Sequence, residues 1–268
     1  MSLQKTSSYD LVVWKLGGSV LTDLAAYRRC AAVLHARAAA VPHERLVIVV
    51  SAEYGTTDRL QHMAEELCPQ PDAGTLDLLW STGELHSVAV LTLCLRKLGV
   101  NAAGLSVHQC GLEVSDSALD GDGPLVNPFP LLGYLRRHPV VIVPGFFARG
   151  PGGAVVSLGR GGSDLTAVLL AAALQAQRCE LIKDVPGYFS KDPNVYTDAA
   201  PLPHVSYVQA QRMATAGCDL VQARALAAAQ RTNTPLVIRA LDETQLRTLV
   251  ARDGLDATAD LSTARAAV

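Results

Sequence analysis

The sequence lacks the patterns that point to a secreted, disulfide-bonded or zinc-binding protein. Its six cysteines are scattered along 268 residues, and no two of them form a C-x-x-C pair. Such spacing indicates reduced, mostly buried thiols, so a disulfide or a cysteine metal site is the minority alternative. The first ten residues are polar and contain no apolar stretch of the kind found in a secretory signal. These absences predict a cytoplasmic protein.

Strong net charge and long apolar runs are also missing. Lysine and arginine number 23 against 25 aspartate and glutamate residues, and the net charge of −2 gives no argument for a nucleic-acid partner. No apolar run approaches the roughly 20 residues that cross a bilayer, so no membrane partner is predicted. Hydrophobic residues make up 49% and charged residues 18%, which is typical of a globular chain with a buried core.

Several well-known site motifs are absent as well. The chain has no G-x-x-x-x-G-K-[ST] loop and no G-x-G-x-x-G after a predicted strand. It has no G-x-S-x-G nucleophile elbow and no protein-kinase motif set. Its seven histidines form no H-x-x-x-H pair, so each is better explained as a surface or core residue than as a ligand.

What the sequence does contain is an alternation of apolar β-rich runs with helical patterns. Strands are predicted at 10–15, 46–50, 100–107, 139–144, 179–183 and 235–239, with a glycine-containing hairpin over 146–158. Helices are predicted from a cap at Asp23 to about 40, and over 57–67, 75–98, 163–176, 206–215 and 219–231. A surface loop is predicted over 120–130, and the tail after Asp242 is polar and alanine-rich. This alternation predicts an α/β fold with a mainly parallel sheet and helices on both faces.

In such sheets ligands bind at the carboxyl ends of the strands, so the residues after each strand are informative. The first predicted strand ends in "KLGGSV", which contains Lys15, Gly17, Gly18 and Ser19. A lysine beside two glycines gathers an ammonium and bare backbone N–H groups, which together hold phosphate. The plain alternative is that the glycines only make a tight turn.

The segment "GRGGSD" is the most informative of these junctions. Gly161 and Gly162 let the backbone approach a ligand, and Arg160 offers a planar fork suited to a carboxylate or phosphate. The alternative is a capped helix after a turn, with a surface arginine. Capping explains Ser163 or Asp164 but does not explain three glycines around an arginine, so a functional role is favoured.

The segment "STGE", residues 81–84, falls inside a helical pattern. A glycine there costs roughly 1 kcal/mol relative to alanine, so the segment predicts a helix start near a site, with Glu84 pointing into it. The alternative is a break in the helix with a solvated glutamate.

Five stretches, in this order, resemble the motifs of the amino acid kinase family, and within it the catalytic domain of aspartokinases. They are "KLGGSV", "VVSAEYGTTDRL", "LLWSTGELHS", "LGRGGSDLTAVLLAAAL" and "KDVPGYFSKDPN", and the resemblance spans about residues 10–241. It implies a three-layer α/β/α sandwich in which ATP and an acceptor meet above the carboxyl edge of the sheet. It also implies phosphorylation of the side-chain carboxylate of aspartate or a close analogue to an acyl phosphate, with Mg²⁺ on the phosphates.

The resemblance further implies a single domain over 1–268 and a set of residue roles. An acceptor-binding half would cover about 10–150 and a nucleotide-binding half about 151–242. The implied catalytic residues are Lys15 and Asp164. The implied nucleotide-binding residues are Lys15, Gly17, Gly18, Ser19, Lys183, Asp184, Tyr188, Ser190 and Asp192. The implied acceptor-binding residues are Ser51, Thr57, Glu84, Arg160 and Ser163, with Glu84 on the α-ammonium and Arg160 on the α-carboxylate. No protein ligand for the metal is assigned.

Some positions depart from the family pattern. Lys183 stands where the family usually has threonine, Asn194 where it has arginine, and Asp219 where it has a nucleotide-contacting lysine. The opening also resembles that of isopentenyl phosphate kinases. Two alternatives therefore stay open: a small-molecule kinase with another acceptor, and a catalytically weak homologue that serves as a partner subunit.

The expected partners are an amino-acid substrate and a second copy of the chain. The printed sequence ends near where the catalytic domain of an aspartokinase would end, so we expect no ACT domain and no feedback-inhibition site within it. Regulation, where it exists, is then expected from a separate partner chain.

Overall fold

The structure is a computed structural model, and it describes residues 9–114, 124–242 and 245–252. Strands and helices alternate along these residues. The strands are β1 (Asp10–Leu16), β2 (Glu44–Val50), β3 (Ala102–Gly104), β4 (Leu112–Glu113), β5 (Leu125–Val126), β6 (Val140–Pro144), β7 (Phe147–Arg149), β8 (Val155–Ser157), β9 (Arg178–Lys183), β10 (His204–Ser206), β11 (Leu236–Ala240) and β12 (Arg247–Ala251). The helices are α1 (Leu24–Ala40), α2 (Thr56–Leu67), α3 (Ala73–Lys97), α4 (Phe129–Leu135), α5 (Gly162–Ala173), α6 (Tyr207–Thr215) and α7 (Ala223–Thr232).

Eight strands form the central sheet in the order β10-β12-β11-β9-β1-β2-β6-β3. Every neighbouring pair is parallel except β11 with β12. A smaller sheet has the order β5-β4-β7-β8. The mainly parallel sheet predicted from the sequence is thus confirmed.

Each face of the central sheet is covered by its own hydrophobic core. One core joins alternate strand residues, such as Val13, to α4, α5, α6 and α7. The other joins the intervening residues, such as Trp14, to α1 and α3. Central strands buried on both faces explain the continuous apolar runs in the sequence. The predicted three-layer α/β/α sandwich is confirmed.

The boundaries of several elements differ from those predicted. The strand expected over 100–107 is limited to β3 and is followed by a short 3₁₀ turn at Val107–Gln109. The helix expected over 219–231 begins later, at Ala223. In the loop predicted over 120–130, residues 120–123 lie outside the described part, and the remainder contains β5 and the first residues of α4.

The tail after Asp242 contains a strand that the sequence analysis did not assign. β12 pairs with β11 and β10, so the central sheet extends past the expected boundary at residue 242. Burial alternates over its first four residues, which is the pattern of a strand near a sheet edge, but five residues are too few to stand out from sequence alone.

The helix α3 is long and apolar enough to cross a membrane, and it is alone in this among the described residues. Of its apolar window, 44% is buried inside the protein. It packs its buried side against the sheet and carries Asp77 and Glu84 within its length. These features are those of a core helix.

A network of buried ions lies on the α1 side of the sheet. Glu180 Oε2 accepts a hydrogen bond from Arg239 Nε at 2.9 Å, and its Oε1 pairs with Arg178 at 2.8 Å. The Arg239 guanidinium also lies over the Trp14 ring at 4.4 Å. Burial alone raises the pKa of Glu180, but Arg178 and Arg239 overcome it and lower the pKa to about 2.

We expect Glu180→Gln to lower the free energy of unfolding by about 3 kcal/mol, because it leaves the buried Arg239 guanidinium without its anion and Arg178 with only Glu44, at 3.8 Å. Urea unfolding at neutral pH measures the change. The matched control is Asp198→Asn, which breaks the exposed pair with Lys191 and should cost at most about 1 kcal/mol. Equal losses for the two variants would contradict the role given to the buried network.

Candidate functional site

Four neighbouring parallel strands bring their carboxyl ends to one edge of the central sheet. In sheet order they are β9, β1, β2 and β6. The segments that follow them begin at Asp184, Gly17, Ser51 and Gly145. Helix α5 starts at the same edge, where Ser163 packs against Gly145. The predicted functional segments are therefore neighbours in space.

The centre of this edge is an ion cluster of two lysines and one aspartate. Lys15 Nζ lies 2.9 Å from Asp164 Oδ1, and Lys183 Nζ donates to Asp164 Oδ2 at 2.9 Å. Asp164 is 3% exposed and Lys15 is 7% exposed. Lys15 and Lys183 come from adjacent strands and both face α5, so the alternation of strand side chains aims them at the first turn of that helix.

Burial and charge act in opposite directions within this cluster. Burial by itself raises the pKa of the Asp164 carboxyl, but the two ammonium groups reverse the effect and hold the pKa at about 2. Asp164 is therefore ionised at neutral pH. Burial lowers the pKa of the Lys15 ammonium, with Asp164 opposing that effect and Lys183 adding to it.

Close backbone approaches shape the loops of the edge. A Cβ atom on Gly17 would lie 3.1 Å from Lys15 Nζ, and one on Gly18 would lie 3.2 Å from the Ala52 carbonyl oxygen. A Cβ on Gly145 would lie 2.8 Å from the Ser163 side chain. The two-glycine turn predicted after the first strand thus lies directly against the lysine.

The start of α5 needs glycine for two reasons. Gly161 has a φ of +71°, and a Cβ there would lie 2.2 Å from Gln222 Cγ. The Arg224 guanidinium donates to the Leu158 carbonyl at 2.6 Å and braces the loop before the helix. The N-terminus of α5, with its free N–H groups, is thereby held at the sheet edge.

A pocket of about 280 Å³ opens beside the ion cluster. Its walls come from the loops after β1, β2 and β6 and from α2, α3 and α5. The lining residues are Gly18, Ser51, Ala52, Glu53, Tyr54, Gly55, Thr57, Asp58, Glu84, Phe146 and Ser163. Four of the five residues predicted to bind the acceptor, namely Ser51, Thr57, Glu84 and Ser163, are therefore brought together.

The fifth of these residues, Arg160, lies at the loop before α5 but does not line the pocket. Its side chain is exposed and forms no ion pair or hydrogen bond with another described residue. Its guanidinium is therefore available to a ligand at this edge.

Glu84 is the most deeply buried of the three acidic residues that line this pocket. Its side chain is 4% exposed, and its Oε1 accepts a hydrogen bond from the Ala52 N–H at 3.3 Å. The other oxygen, Oε2, is buried and has no hydrogen-bond partner in the described part of the chain. Burial raises the pKa of the Glu84 carboxyl to about 7. This buried carboxyl has no cation beside it, so a positively charged group of a ligand can pair with it.

The prediction of a helix start at residues 81–84 is wrong, because these residues lie in the middle of α3. The Ser81 and Thr82 hydroxyls donate to carbonyls three residues earlier, which accommodates them inside a helix. Gly83 is required because a Cβ there would lie 3.0 Å from Ala52 Cβ and 3.1 Å from Thr56 Cγ2. The glycine brings the helix close enough to place Glu84 in the pocket.

Phe146 is a pocket residue that the sequence analysis missed. Its φ of +69° is in the left-handed region, which is strained for a bulky side chain. The ring lines the pocket and lies 6.4 Å from the Trp80 ring, centroid to centroid. Nothing in the sequence marks this conformation, since phenylalanine after glycine occurs in many loops.

Only some of the residues predicted to hold the nucleotide lie at the carboxyl edge of the sheet. Ser19 Oγ donates to Asp184 Oδ1 at 3.4 Å, so these two meet at the carboxyl edge. Ser190 and Asp192 are exposed on the loop beyond it, where they accept backbone hydrogen bonds from Ala200 and Asn194. Their contact with a nucleotide stays a prediction.

Tyr188 is placed differently from these loop residues. Its side chain is 1% exposed within the hydrophobic core, and burial raises the pKa of its hydroxyl. The backbone N–H of Tyr188 donates to Thr248 Oγ1 at 2.8 Å, which ties the loop to β12. The placement supports a role in holding the loop rather than a surface contact.

The fold and the carboxyl edge together define the class of protein. It is an α/β/α protein whose buried lysine, glycine-rich turns and helix N-terminus all favour an anion. A small polar pocket lies beside them. The sequence profile of the amino acid kinase family matches residues 10–240. The chain belongs to the amino acid kinase family. An aspartokinase of Thermus thermophilus is 37% identical over 230 residues, which are 85% of this chain and 56% of that protein. This chain therefore spans about half the length of the curated relatives it matches.

Solved structures give the same relationship. Aspartate kinase from Synechocystis superposes with a TM-score of 0.80 at 30% identity, over 92% of this chain and 40% of that one. Uridylate kinase from Archaeoglobus fulgidus superposes with a TM-score of 0.64 at 18% identity, over 90% of this chain and 99% of that one. The second likeness concerns the fold alone.

The raised pKa of Glu84 predicts a pH-dependent stability. The folded state holds this proton more tightly than the unfolded state, whose carboxyl has a pKa near 4.5. The stabilising contribution is full below pH 4.5 and is lost as the pH rises through about 7. It amounts to about 3 kcal/mol at most.

Urea unfolding at pH 5 and pH 8 tests this on the wild type and Glu84→Gln, which is uncharged at both values. We expect the wild type to lose stability relative to the variant between the two pH values. The exposed Glu66→Gln serves as the matched control and should follow the wild type. A constant difference between wild type and Glu84→Gln would show that Glu84 titrates normally.

Proposed function

We propose that this chain transfers the γ-phosphoryl group of ATP to the side-chain carboxylate of aspartate or a close analogue, forming an acyl phosphate. The observation that carries this proposal is the Lys15–Asp164–Lys183 cluster beside a pocket that is lined by Glu84. The aspartokinases among its relatives, which are named for aspartate, support the same acceptor.

The pocket suits a ligand that carries an ammonium. Glu84 offers a buried carboxylate oxygen without a partner, and an ammonium placed there would both satisfy it and favour its ionised form. Arg160 is exposed and unpaired at the start of the same edge, and its planar fork matches a carboxylate. A carboxylate inside the pocket and an exposed guanidinium on the loop outside it fit the two charged groups of an amino acid.

The cluster suits the reacting phosphoryl group. In phosphoryl transfer the protein mainly positions the reactants and stabilises charge, and it forms no bond of its own to the phosphorus. Lys15 lies where the turn after β1 offers backbone N–H groups, so it would neutralise charge on the transferring group. Asp164 holds Lys15 in place through an ion pair of 2.9 Å and would not itself receive the phosphoryl group.

Magnesium would accompany the nucleotide. The described residues contain no group of three histidine, cysteine, aspartate or glutamate side chains that could hold a metal by themselves. Mg²⁺ commonly keeps its waters and binds one or two carboxylates together with substrate phosphates, and the exposed Asp184 carboxylate is an oxygen donor of that kind. The ion would offset the negative charge of the phosphates.

A second candidate function is phosphorylation of a different acceptor. The shared fold of uridylate kinase favours it, since the same architecture serves a nucleotide acceptor there. The unpaired acid in the pocket disfavours a phosphate-bearing acceptor, because two anions would then face each other in a buried space.

An acyl-phosphate trap decides between these functions. Purified protein, Mg-ATP and hydroxylamine are incubated with a panel of amino acids, and hydroxamate and ADP are both measured. Hydroxamate with aspartate is the result expected here. ADP release with another acceptor and no hydroxamate would support the second candidate, and no turnover with any acceptor would leave a catalytically weak homologue.

Lys15→Ala should lower kcat at least about a hundredfold, because one electrostatic donor to the transition state is lost. The KM values for ATP and the amino acid should change much less. Circular dichroism checks that the fold is intact, and Lys97→Ala, an exposed lysine at the end of α3, is the matched control. A Lys15→Ala protein with half the wild-type kcat would refute the assigned role.

Arg160→Lys should raise the KM for aspartate about tenfold or more with little change in the KM for ATP, because the charge remains but the two-pronged contact is lost. Glu84→Gln should act in the same direction. Calorimetry of aspartate binding gives an independent measure. Normal aspartate binding by both variants would mean that the acceptor is held elsewhere.

A further inference from the structure

We propose that Lys183 is a second catalytic residue, whose ammonium contacts the transferring phosphoryl group from the side opposite Lys15. The inference rests on the proposed function, since it assigns a residue to the same phosphoryl site. The family resemblance places Lys183 among the nucleotide-binding residues only through its position in a loop motif, and the sequence alone does not reveal its ion pair with Asp164.

The geometry places the two ammonium groups as a pair. Each lies 2.9 Å from a different oxygen of the one Asp164 carboxylate. A carboxylate holds its two oxygens apart in a plane, so the two cations flank Asp164 rather than stack on each other. The pair lies at the carboxyl ends of adjacent strands, which is where a ligand meets an open parallel sheet.

The charges of Lys15, Asp164 and Lys183 do not balance one another. With its three groups ionised, the cluster has two positive charges and one negative charge. No other carboxylate forms an ion pair with Lys15 or Lys183 among residues 9–114, 124–242 and 245–252. Lys183 also disfavours the charge of Lys15, because its own charge lowers the pKa of the Lys15 ammonium. A further anion at this point relieves that repulsion.

The exposure of the two lysines differs in a way that fits this role. Their side chains are 9% exposed for Lys15 and 13% for Lys183, against 4% for Asp164. The carboxylate is thus enclosed, and each lysine side chain keeps a small open surface. A lysine that served only as a counter-ion for Asp164 would be redundant, since Lys15 already balances that charge.

The position of Lys183 at the end of β9 favours its contact with the transferring phosphoryl group. Lys183 is the last residue of β9, and the next residue, Asp184, accepts a hydrogen bond from Ser19 in the turn after β1. The end of β9 is therefore tied to the two-glycine turn that offers backbone N–H groups. An anion held by that turn lies between the strands that carry the two lysines.

The test compares nucleotides that differ only in the third phosphate. Calorimetry measures the binding of ADP and of the β,γ-methylene analogue of ATP, each with Mg²⁺ and without acceptor. Lys183→Met should weaken binding of the triphosphate analogue at least about tenfold, because a charged contact is lost, and should change the affinity for ADP less than about twofold. In turnover it should lower kcat at least about a hundredfold with the KM for aspartate within about threefold. Lys183→Arg should recover part of the triphosphate affinity.

Two further variants separate direct contact from an effect through Asp164. In an Asp164→Asn background, a lysine that contacts the phosphate still matters, so adding Lys183→Met should again cost about tenfold or more in triphosphate affinity. Lys97→Met is the control, because it removes an exposed lysine far along α3 and should bind both nucleotides as the wild type does.

Loss of the effect in the Asp164→Asn background, or an equal loss for ADP and triphosphate, would overturn the assignment and leave Lys183 as a structural counter-ion. A wild type that binds no triphosphate would overturn it as well. The binding measurements contain no acceptor. A protein that forms no hydroxamate with aspartate but shows the expected binding therefore loses the proposed acceptor and keeps the Lys183 assignment.

Discussion

The Asp164 carboxylate joins the three elements on which the edge of the site depends. It belongs to the first turn of α5 and forms ion pairs with a lysine from β1 and a lysine from β9. Two ammonium groups this close would repel in a buried setting, and one enclosed carboxylate makes the arrangement stable. The start of α5 is fixed against two strands by the same contacts, so the helix N-terminus and the lysines face one space. Gly17 follows from this arrangement, since a side chain there would press on Lys15 Nζ.

Backbone contacts hold together the loops that form the pocket beside the cluster. The Tyr54 N–H donates to the Leu21 carbonyl at 3.0 Å, which clasps the loop after β2 to the loop after β1. Gly18 lies close to the Ala52 carbonyl oxygen and Gly145 lies close to the Ser163 side chain, and a Cβ atom on either glycine would crowd its neighbour. The positions of these loops are then fixed by the strand ends from which they leave. Its chemistry is then left to a few polar groups, of which Glu84 is the most deeply buried.

Most strands of the central sheet, the three layers and the segments that meet at the carboxyl edge could be predicted from the sequence, because each followed from a local pattern. Asp23 caps α1 as its position indicated, and its carboxylate accepts from the Ala26 N–H at 2.8 Å. Predictions that depended on long-range contacts were less successful. Gly83 looked like a helix start because nothing local shows that Ala52 and Thr56 press on it. The pairing of Lys183 with Asp164 required the register of β9 against β1, which no single stretch of sequence contains.

Two buried carboxyl groups at this edge illustrate how the surroundings decide whether a group is protonated. Glu84 and Asp164 are 4% and 3% exposed, yet their pKa values move in opposite directions, to about 7 and about 2. Burial penalises the charge on each of them, and only Asp164 has cations beside it to overcome that penalty. Under the proposed function, the ammonium of the acceptor would do for Glu84 what the lysines do for Asp164. Binding and ionisation are then coupled, because the acceptor stabilises the charge that holds it. Under the same proposal, a ligand without an ammonium would leave Glu84 buried and unpaired, and that cost would give the pocket a preference for an amino acid.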